Sequence, residues 1–302
     1  RHRLHGDEGN LPRSGGPRWA LLTDRHFLGQ ALGVSRPRTI VVTGSASGMG
    51  AATASRLVAA GHRVIGVDLR DATVIADLST ADGRANAVSQ VTELAGGDDG
   101  VIDGLVTWAG LAGLTDRPGS LLAAVNYFGT VAVLEGLRPL LARGEQPAAV
   151  AISSNSTLVQ PGVPLDVVEA CLSGDEEVAL AAAEAAGSFT TYPATKTALA
   201  WWVRRRAPGP EWAGACITLN VVAPGAVETP LLQETREDPT VGGFIDTFPI
   251  PVGRKGTADE LAAFVEFLLG PDARFFCGSF LVVDGGTDAH LRPDDTPVNW
   301  NP

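Results

Sequence analysis

A tyrosine followed four residues later by a lysine is the feature of this sequence that could most directly do chemistry. The chain contains only two tyrosines and two lysines, and one of each lies in Tyr192-Pro193-Ala194-Thr195-Lys196. Residues four apart share one face of a helix, so the Lys196 ammonium would favour the Tyr192 phenolate and lower a pKa that is ordinarily about 10. The pair predicts a general acid/base near neutral pH, and a plain surface pair is the alternative. Pro193 is compatible with a helix if Tyr192 lies in its first turn.

A glycine-rich segment could hold a phosphate group. Thr43-Gly44-Ser45-Ala46-Ser47-Gly48-Met49-Gly50 follows a β-branched run and precedes a stretch of helical composition. Glycines let the backbone approach a pyrophosphate, and a helix N-terminus supplies free N–H groups and a positive dipole end. The segment therefore predicts a dinucleotide-binding turn, although its Gly-x-x-x-Gly-x-Gly spacing is not the commoner Gly-x-Gly-x-x-Gly. Simple turn chemistry is the alternative.

A carboxylate 18 residues after Gly50 indicates which dinucleotide would bind. Asp68 ends the second predicted strand, where it could accept hydrogen bonds from ribose hydroxyls and repel a 2′-phosphate. Arg70 would partly offset that repulsion, and an ordinary strand-end aspartate is the alternative. We therefore expect NAD in preference to NADP. Asp77 and Leu78 are predicted either to meet the adenine ring or to be plain loop residues.

The segments around these motifs alternate between strand and helix patterns. Strands are predicted at 39–43, 63–68, 101–107, 148–153, 217–222 and 280–283, and helices at 51–60, 120–141 and 194–206. This alternation implies βαβ units. We therefore expect a single α/β domain with a Rossmann-type, doubly wound parallel sheet.

Changes in composition set the limits of that domain. Residues 1–37 are rich in glycine, proline and arginine and are predicted to be an irregular extension with one helical turn near 19–32; a basic interaction arm is the alternative. The catalytic domain is predicted at 38–290, followed by a C-terminal tail at 291–302. A proline and the N-cap signal Ser-Gly-Asp-Glu-Glu predict an inserted pair of short helices at about 164–187.

Composition argues against several other classes of function. The 302 residues are 45% hydrophobic, which is enough for a sizeable core, and the net charge of −11 argues against nucleic acid as a partner. Three separated cysteines and five histidines, without a Cys-x-x-Cys or His-x-x-x-His pair, predict no metal site and a cytoplasmic location. No apolar run reaches the roughly 18–20 residues of a membrane span, so no membrane association is expected, and no signal-peptide pattern begins the sequence.

Taken together and in order, these motifs resemble the short-chain dehydrogenase/reductase family over about residues 39–286. The positions that match the family's motifs are Gly44, Gly48, Gly50, Asn126, Ser154, Tyr192, Lys196, Pro224-Gly225, Thr229 and Asp284-Gly285-Gly286. The resemblance implies that Tyr192 transfers a proton, Ser154 binds the substrate oxygen, Lys196 binds the nicotinamide ribose, and Asn126 holds the main chain or a water beside Lys196. The implied cofactor-binding residues are Gly44, Ser47, Gly48, Met49, Gly50, Asp68, Asp77, Leu78, Ala109, Gly110, Tyr192, Lys196, Pro224, Gly225, Val227 and Thr229.

Within the family, residues 64–78, 125–129, 146–154 and 223–233 resemble the bacterial 3α-hydroxysteroid dehydrogenase/carbonyl reductases. Coniferyl-alcohol dehydrogenases are similar at much the same places. The resemblance implies interconversion of a secondary or allylic alcohol and its carbonyl with NAD, on a small hydrophobic substrate. A catalytically silent dinucleotide sensor on the same fold is the alternative from another class, and the four intact catalytic positions argue against it.

The sequence also departs from the family pattern. Thr107-Trp108-Ala109-Gly110 stands where the family usually has Asn-Asn-Ala-Gly. Trp108 thus replaces a hydrogen-bonding amide, so the contacts that support the sheet at this point must differ. The interval of 38 residues from Ser154 to Tyr192 is unusually long, and the excess is the predicted insert. Helices on this side often pair between subunits in the family, so we expect the insert to alter the interface of a homo-oligomer, either a dimer or a tetramer. Residues 231–252 are predicted to be an apolar lid, and a packed surface loop is the alternative.

Overall fold

The structure is a computed structural model that describes residues 36–297. The helical turn predicted near residues 19–32 lies outside the described residues, as do almost all of the predicted extension and residues 298–302 of the predicted tail.

A seven-stranded parallel sheet forms the centre of the fold. The strands of the described residues are β1 (Thr39–Thr43), β2 (Arg63–Asp68), β3 (Val74–Ile75), β4 (Gly104–Thr107), β5 (Ala148–Ile152), β6 (Thr218–Pro224), β7 (Val227–Glu228), β8 (Gly256–Thr257) and β9 (Phe280–Val283). The sheet order is β3-β2-β1-β4-β5-β6-β9, with every neighbouring pair parallel, and β7 pairs with β8 in a separate ribbon. This order is that of a Rossmann-type doubly wound sheet, so the predicted fold class is confirmed.

Helices cover both faces of the sheet. Those in the described residues are α1 (Gly48–Ala59), α2 (Ala81–Ala95), α3 (Gly119–Leu141), α4 (Ser156–Val159), α5 (Leu165–Ser173), α6 (Glu176–Ala186), α7 (Ser188–Arg206), α8 (Pro230–Glu237), α9 (Gly242–Ile245), α10 (Ala258–Leu269) and α11 (Thr287–Leu291). Helix α3 contains a π-helical segment at Ala123–Gly129.

Two apolar clusters hold the layers together. Successive residues of a strand point to opposite faces, so Val41 and Leu105 pack with α2, α3 and α7, whereas Ile40, Val42 and Val106 pack with α1 and α10. Both faces of the sheet are therefore buried, which explains the nearly continuous apolar strands in the sequence.

The predicted elements are present, with shifted boundaries. Helix α1 begins at Gly48 rather than at residue 51, and β4 begins at Gly104 rather than at 101. The strand predicted at 217–222 extends to Pro224, and β5 ends at Ile152. The largest difference is at α7, which begins at Ser188 rather than at 194, so Pro193 lies inside the helix.

Residues 164–187 fold as the helices α5 and α6. Asp175 caps α6 by accepting a hydrogen bond from Val178 N (3.1 Å). Nη2 of the buried Arg84 in α2 donates to both carboxylate oxygens of Glu176 (2.8 and 2.7 Å). The apolar residues that these two helices bury completely are Val167, Val168, Cys171, Ala179 and Ala183. The insert is therefore part of the core of the domain.

One helix of the described residues, Gly119–Leu141, has the length and hydropathy of a membrane span. More than half of its apolar stretch (56%) is buried inside the domain, where Leu134 and Leu137 pack against the sheet. Its position as a core helix accounts for its apolar composition.

Candidate active site

The carboxyl ends of β1, β4, β5 and β6 meet at one edge of the sheet, where a cavity of about 490 Å³ lies. The predicted site residues that line it are Met49, Gly110, Ser154, Tyr192, Lys196, Pro224, Gly225, Val227 and Thr229. The predicted residues outside its lining are Gly44, Ser47, Gly48, Gly50, Asp68, Asp77, Leu78, Ala109 and Asn126. Parallel strands bring the first set together because all their carboxyl ends point the same way.

The glycine-rich loop packs so closely that side chains would not fit. Gly44 has φ +66°, and a Cβ there would lie 2.7 Å from Ala109 N. A Cβ at Gly50 would lie only 1.9 Å from Gly44 O, so the first turn of α1 rests directly on the loop. These two glycines are therefore required by the turn and by close backbone contact.

The same loop fits a pyrophosphate. Ser47 occupies the N-cap of α1 with an extended backbone, and its side chain makes no capping hydrogen bond, so no side chain covers the N–H groups of the first turn. Gly48 has φ +52° and faces Thr229, whose Cγ2 would lie 3.5 Å from a Cβ at Gly48. An open helix N-terminus beside a bare backbone is suited to the phosphates of a dinucleotide.

Asp68 lies at the end of β2, beside the glycine-rich loop. Its Oδ2 accepts a hydrogen bond from Ala46 N (2.9 Å), and its Oδ1 accepts one from Leu69 N (2.7 Å). Each carboxylate oxygen can accept a further bond, so Asp68 fits a ribose diol. Asp77 accepts a hydrogen bond from Ser79 N (2.9 Å) in a turn, and Leu78 is buried in the larger apolar cluster; their contact with adenine stays a prediction.

Ser154, Tyr192 and Lys196 lie together on the cavity wall. The Ser154 hydroxyl lies near enough to Tyr192 to influence the pKa of its phenol, and Ser154 Oγ accepts a hydrogen bond from Ser156 N (3.2 Å). Lys196 is 5% exposed, and its Nζ donates to Ile152 O (3.0 Å) at the end of β5. Ser153 Oγ donates to Lys196 O (2.9 Å), which ties α7 to the same strand end.

The acidities of this group differ from the expectation. Burial raises the pKa of Tyr192, and the nearby Ser154 hydroxyl opposes that rise without cancelling it. Burial also lowers the pKa of Lys196 to about 8. The prediction that Lys196 lowers the pKa of Tyr192 is therefore wrong for this structure, because the loss of hydration dominates and the ammonium is directed to Ile152 O.

The proline inside α7 is accommodated by Gln160, which belongs to none of the motifs in the sequence. Pro193 has no N–H, so the carbonyl of Phe189, four residues earlier, loses its helical partner. Gln160 Nε2 donates to Phe189 O (3.2 Å) and replaces that bond. Gln160 therefore supports the helix one turn before Tyr192, and the unpaired carbonyl is the signal that could have predicted such a donor.

Asn126 lies in the π-helical segment of α3 and is fully buried. Its Oδ1 accepts from Leu111 N (2.8 Å), and its Nδ2 donates to Leu111 O (3.0 Å). A Cβ at Gly110 would lie 3.1 Å from Asn126 Oδ1 and 3.3 Å from Lys196 Nζ. Asn126 thus holds the main chain after β4, and Gly110 keeps the space between the amide and the ammonium open.

Trp108 replaces polar support of the sheet with apolar packing. Its indole is 9% exposed, belongs to the cluster that contains Val227, and has no hydrogen-bond partner for Nε1 among the described residues. The polar link between β1 and β4 is made instead by Ala109 N, which donates to Thr43 Oγ1 (3.1 Å). That this support differs from that of the family stays a prediction.

Residues 231–252 contribute a mostly apolar part of the cavity wall. The segment predicted as a lid contains α8 and α9, and the cavity-lining residues of 231–252 are Leu231, Leu232, Thr235, Val241, Phe248 and Ile250. Asp238 Oδ2 accepts from Thr115 N (2.8 Å) and Thr115 Oγ1 (2.7 Å). These bonds fasten the segment to the loop after β4. Whether it opens as a lid stays a prediction.

Comparisons with known proteins agree with this geometry. A family model described as short chain dehydrogenase matches residues 38–164, and one described as enoyl-(acyl carrier protein) reductase matches residues 178–288. The unmatched residues 165–177 fall on the insert. The 3-alpha-hydroxysteroid dehydrogenase/carbonyl reductase of Comamonas testosteroni is 44% identical over 259 residues, 84% of this chain and 98% of that protein.

Two further proteins extend the comparison. The coniferyl-alcohol dehydrogenase of Pseudomonas sp. is 34% identical over 265 residues, 82% of this chain and 96% of that protein. The crystal structure of the 3-alpha-hydroxysteroid dehydrogenase from Pseudomonas sp. B-0831 complexed with NADH has a TM-score of 0.80 and 47% identity, and covers 85% of this chain and 99% of that one. These matches show an oxidoreductase that uses a nicotinamide dinucleotide, and the chain belongs to the short-chain dehydrogenase/reductase family.

Proposed function

We propose that the protein interconverts a secondary or allylic alcohol and its carbonyl with NAD, in the manner of a 3α-hydroxysteroid dehydrogenase/carbonyl reductase. The observation that carries the proposal is that Ser154, Tyr192 and Lys196 lie together on the wall of a largely apolar cavity. The 44% identical relative is a 3-alpha-hydroxysteroid dehydrogenase/carbonyl reductase, which supports the choice of substrate class.

Each of these residues has a distinct task in the proposed reaction. The nicotinamide supplies or accepts the hydride when it is bound. Ser154 orients the substrate oxygen toward Tyr192, whose hydroxyl gives up or takes the proton. Lys196 would bind the nicotinamide ribose, and Asn126 fixes the main chain next to it.

The raised pKa of Tyr192 sets the pH dependence of the two directions. A phenol with a raised pKa is protonated at neutral pH and can donate its proton to a carbonyl oxygen. Alcohol oxidation needs the phenolate, so its rate should rise with pH. Carbonyl reduction should be the faster direction near neutrality.

The cavity favours an uncharged, apolar substrate. Among the described residues, Lys196 is the only charged side chain that lines it, and five of the six lining residues from 231–252 are apolar. A volume of about 490 Å³ is within the range of cavities that take drug-sized molecules. A coniferyl-type alcohol is the alternative substrate, because the second relative is a coniferyl-alcohol dehydrogenase.

The choice of NAD over NADP rests on Asp68. Its carboxylate lies at the end of β2 and is held by Ala46 N and Leu69 N, where a 2′-phosphate would be repelled. The NADH-bound structure of the 47% identical neighbour supports the same choice. We further propose a homo-oligomer whose interface is altered by α5 and α6, in the cytoplasm, where the exposed thiols of Cys216 and Cys277 would stay reduced.

Replacement of Tyr192 by phenylalanine tests the proposed function. Absorbance at 340 nm follows wild-type turnover with NAD or NADP on a 3α-hydroxysteroid, coniferyl alcohol and an alicyclic alcohol. The Tyr192→Phe variant should lose about 10²- to 10⁴-fold in turnover, the usual contribution of a general acid/base, and should bind NADH as the wild type does.

Tyr127→Phe is the matched control, since Tyr127 is the other tyrosine and is buried outside the cavity lining. It should remain active. Turnover by Tyr192→Phe close to that of the wild type would refute the assignment, and failure of the wild type on all three substrates would refute the substrate class.

A further inference from the structure

The Asp284-Gly285-Gly286 segment has no role in the reaction proposed above. Asp284 follows β9, the last strand of the sheet. Its Oδ1 accepts a hydrogen bond from Gly286 N (2.9 Å), and its Oδ2 accepts bonds from Asp288 N (2.8 Å) and Asn155 Nδ2 (3.3 Å). Three donors therefore fix the direction of this carboxylate.

The third donor connects Asp284 to the catalytic serine. Asn155 directly follows Ser154, and its main-chain N–H donates to Pro224 O (2.9 Å) at the end of β6. Its backbone is therefore tied to one strand end and its side chain to the next. Because its main chain and its side chain are both hydrogen-bonded, Asn155 restricts the movement of the preceding residue, Ser154.

Gly225 lies against this contact. A Cβ at Gly225 would come within 2.6 Å of Asp284 Cβ and 3.3 Å of Asn155 Nδ2. The absence of a side chain at Gly225 is thus what allows Asp284 to come this close to the strand end. The Pro224-Gly225 segment, Asn155 and Asp284 form one packed unit, in which Asn155, Pro224 and Gly225 line the cavity.

Ser154 is held from its other side by α7. Ser153 Oγ donates to Lys196 O (2.9 Å), and Lys196 Nζ donates to Ile152 O (3.0 Å). The residues before Ser154 are therefore hydrogen-bonded to α7, the helix that carries Tyr192, and the residue after it is hydrogen-bonded to Asp284. Its distance from the Tyr192 hydroxyl depends on both.

We propose that Asp284 is a positioning residue that acts through Asn155 to hold the Ser154 hydroxyl against Tyr192. The inference rests on the proposed function for its kinetic consequence, but the placement of Ser154 can be measured without any substrate. Misplacement of a reacting group by about 1 Å can cost on the order of 100-fold in rate. Loss of the Asp284 contact should therefore lower kcat at least about tenfold and leave the KM and the Kd for NADH within about twofold.

Exchange of the two side chains tests the contact. Asp284→Asn leaves one acceptor oxygen for the three donors Gly286 N, Asp288 N and Asn155 Nδ2. Asn155→Asp places two carboxylates together, so each variant should lower kcat. The double variant Asn155→Asp/Asp284→Asn restores one donor and one acceptor between these two side chains. Its kcat should therefore be at least about tenfold higher than that of Asn155→Asp. A purely structural role would lower stability in all three variants without such a recovery of kcat. Asp288→Asn is the matched control, because the Asp288 side chain pairs with Arg292 (3.1 Å), which directly follows α11, and not with Asn155.

A spectroscopic measurement separates this inference from the proposed function. The chain has only two tyrosines, so protein labelled at tyrosine Cζ gives two carbon signals, which Tyr127→Phe assigns. Asp284→Asn should shift the Tyr192 signal and not that of Tyr127, and the double variant should move it back. An unchanged Tyr192 signal in Asp284→Asn would overturn the inference, whether or not the wild type turns over the chosen substrates.

Discussion

Replacement of Lys196 by methionine should stabilise the protein at neutral pH and abolish turnover. Burial lowers the pKa of Lys196 from 10.5 to about 8, so the folded state binds this proton less tightly than the unfolded chain does. At about 1.4 kcal/mol per pKa unit, the buried charge costs on the order of 3 kcal/mol at pH 7. Methionine removes the charge and also the hydrogen bond to Ile152 O, which is worth about 1 kcal/mol. The net gain of about 2 kcal/mol corresponds to a rise in Tm of roughly 4–8 °C.

The sign of the pH dependence follows from the same shift. Between about pH 8 and pH 10.5 the unfolded chain keeps the Lys196 proton and the folded protein loses it, so the stability of the wild type relative to Lys196→Met rises with pH in this window. The difference in Tm should therefore be largest below pH 8 and smaller at pH 9.5. Thermal unfolding followed by circular dichroism at both pH values measures it.

The other lysine provides the control. Lys255 pairs with Asp246 (2.6 Å), whose side chain is largely exposed, and such pairs contribute about 0–1 kcal/mol. Lys255→Met should therefore leave Tm unchanged or slightly lower. A Lys196→Met variant no more stable than the wild type at pH 7, or a difference that grows with pH, would refute the reasoning.

Two further predictions concern the loop and the cavity wall. Gly50→Ala, whose Cβ would lie 1.9 Å from Gly44 O, should cost about 1–3 kcal/mol of stability and raise the Kd for NADH severalfold in a fluorescence titration. Gly214→Ala is the control: the nearest contact of its Cβ would be at 3.5 Å, so it should change neither the stability nor the Kd for NADH. A Kd for NADH in Gly50→Ala equal to that of the wild type would contradict the role of the loop. Asp238→Asn should raise the KM for an apolar alcohol without changing NADH binding, because it weakens the bonds from Thr115. Those bonds hold the pKa of Asp238 well below its usual range, so Asp238 stays ionised and the wild-type KM should stay constant down to pH 5. A rise in the wild-type KM between pH 7 and pH 5 would argue against this account.

The parts of the site that depend on local pattern could be predicted from the sequence. The glycine-rich loop, Asp68 and the Tyr192–Lys196 pair each occupy a strand end or one helix face, and a parallel sheet gathers strand ends at one edge. The fold class follows from the same alternation of strands and helices. No contact between distant segments was needed for either prediction.

The features that the sequence did not reveal depend on long-range packing. The acidity of Tyr192 is set by burial, which a motif does not encode, so the sign of its pKa shift was predicted wrongly. Asp238 lies 123 positions from Thr115, and neither belongs to a recognisable motif. The hydrogen bond from Gln160 to Phe189 was not predicted because Pro193 was expected at the start of its helix, where no carbonyl would have lost its partner.

The insert is integrated with the active site rather than appended to the domain. Thr191, the residue before Tyr192, donates from its hydroxyl to Ala183 O of α6 (2.9 Å). A Cβ at Gly119 would lie 2.0 Å from the same Ala183 O, so the start of α3 and the start of α7 both pack on this turn of the insert. Helix α7 therefore owes part of its support to α6 and part to Gln160. A long interval between Ser154 and Tyr192 is compatible with their proposed catalytic roles because the added residues help to hold the helix that carries Tyr192.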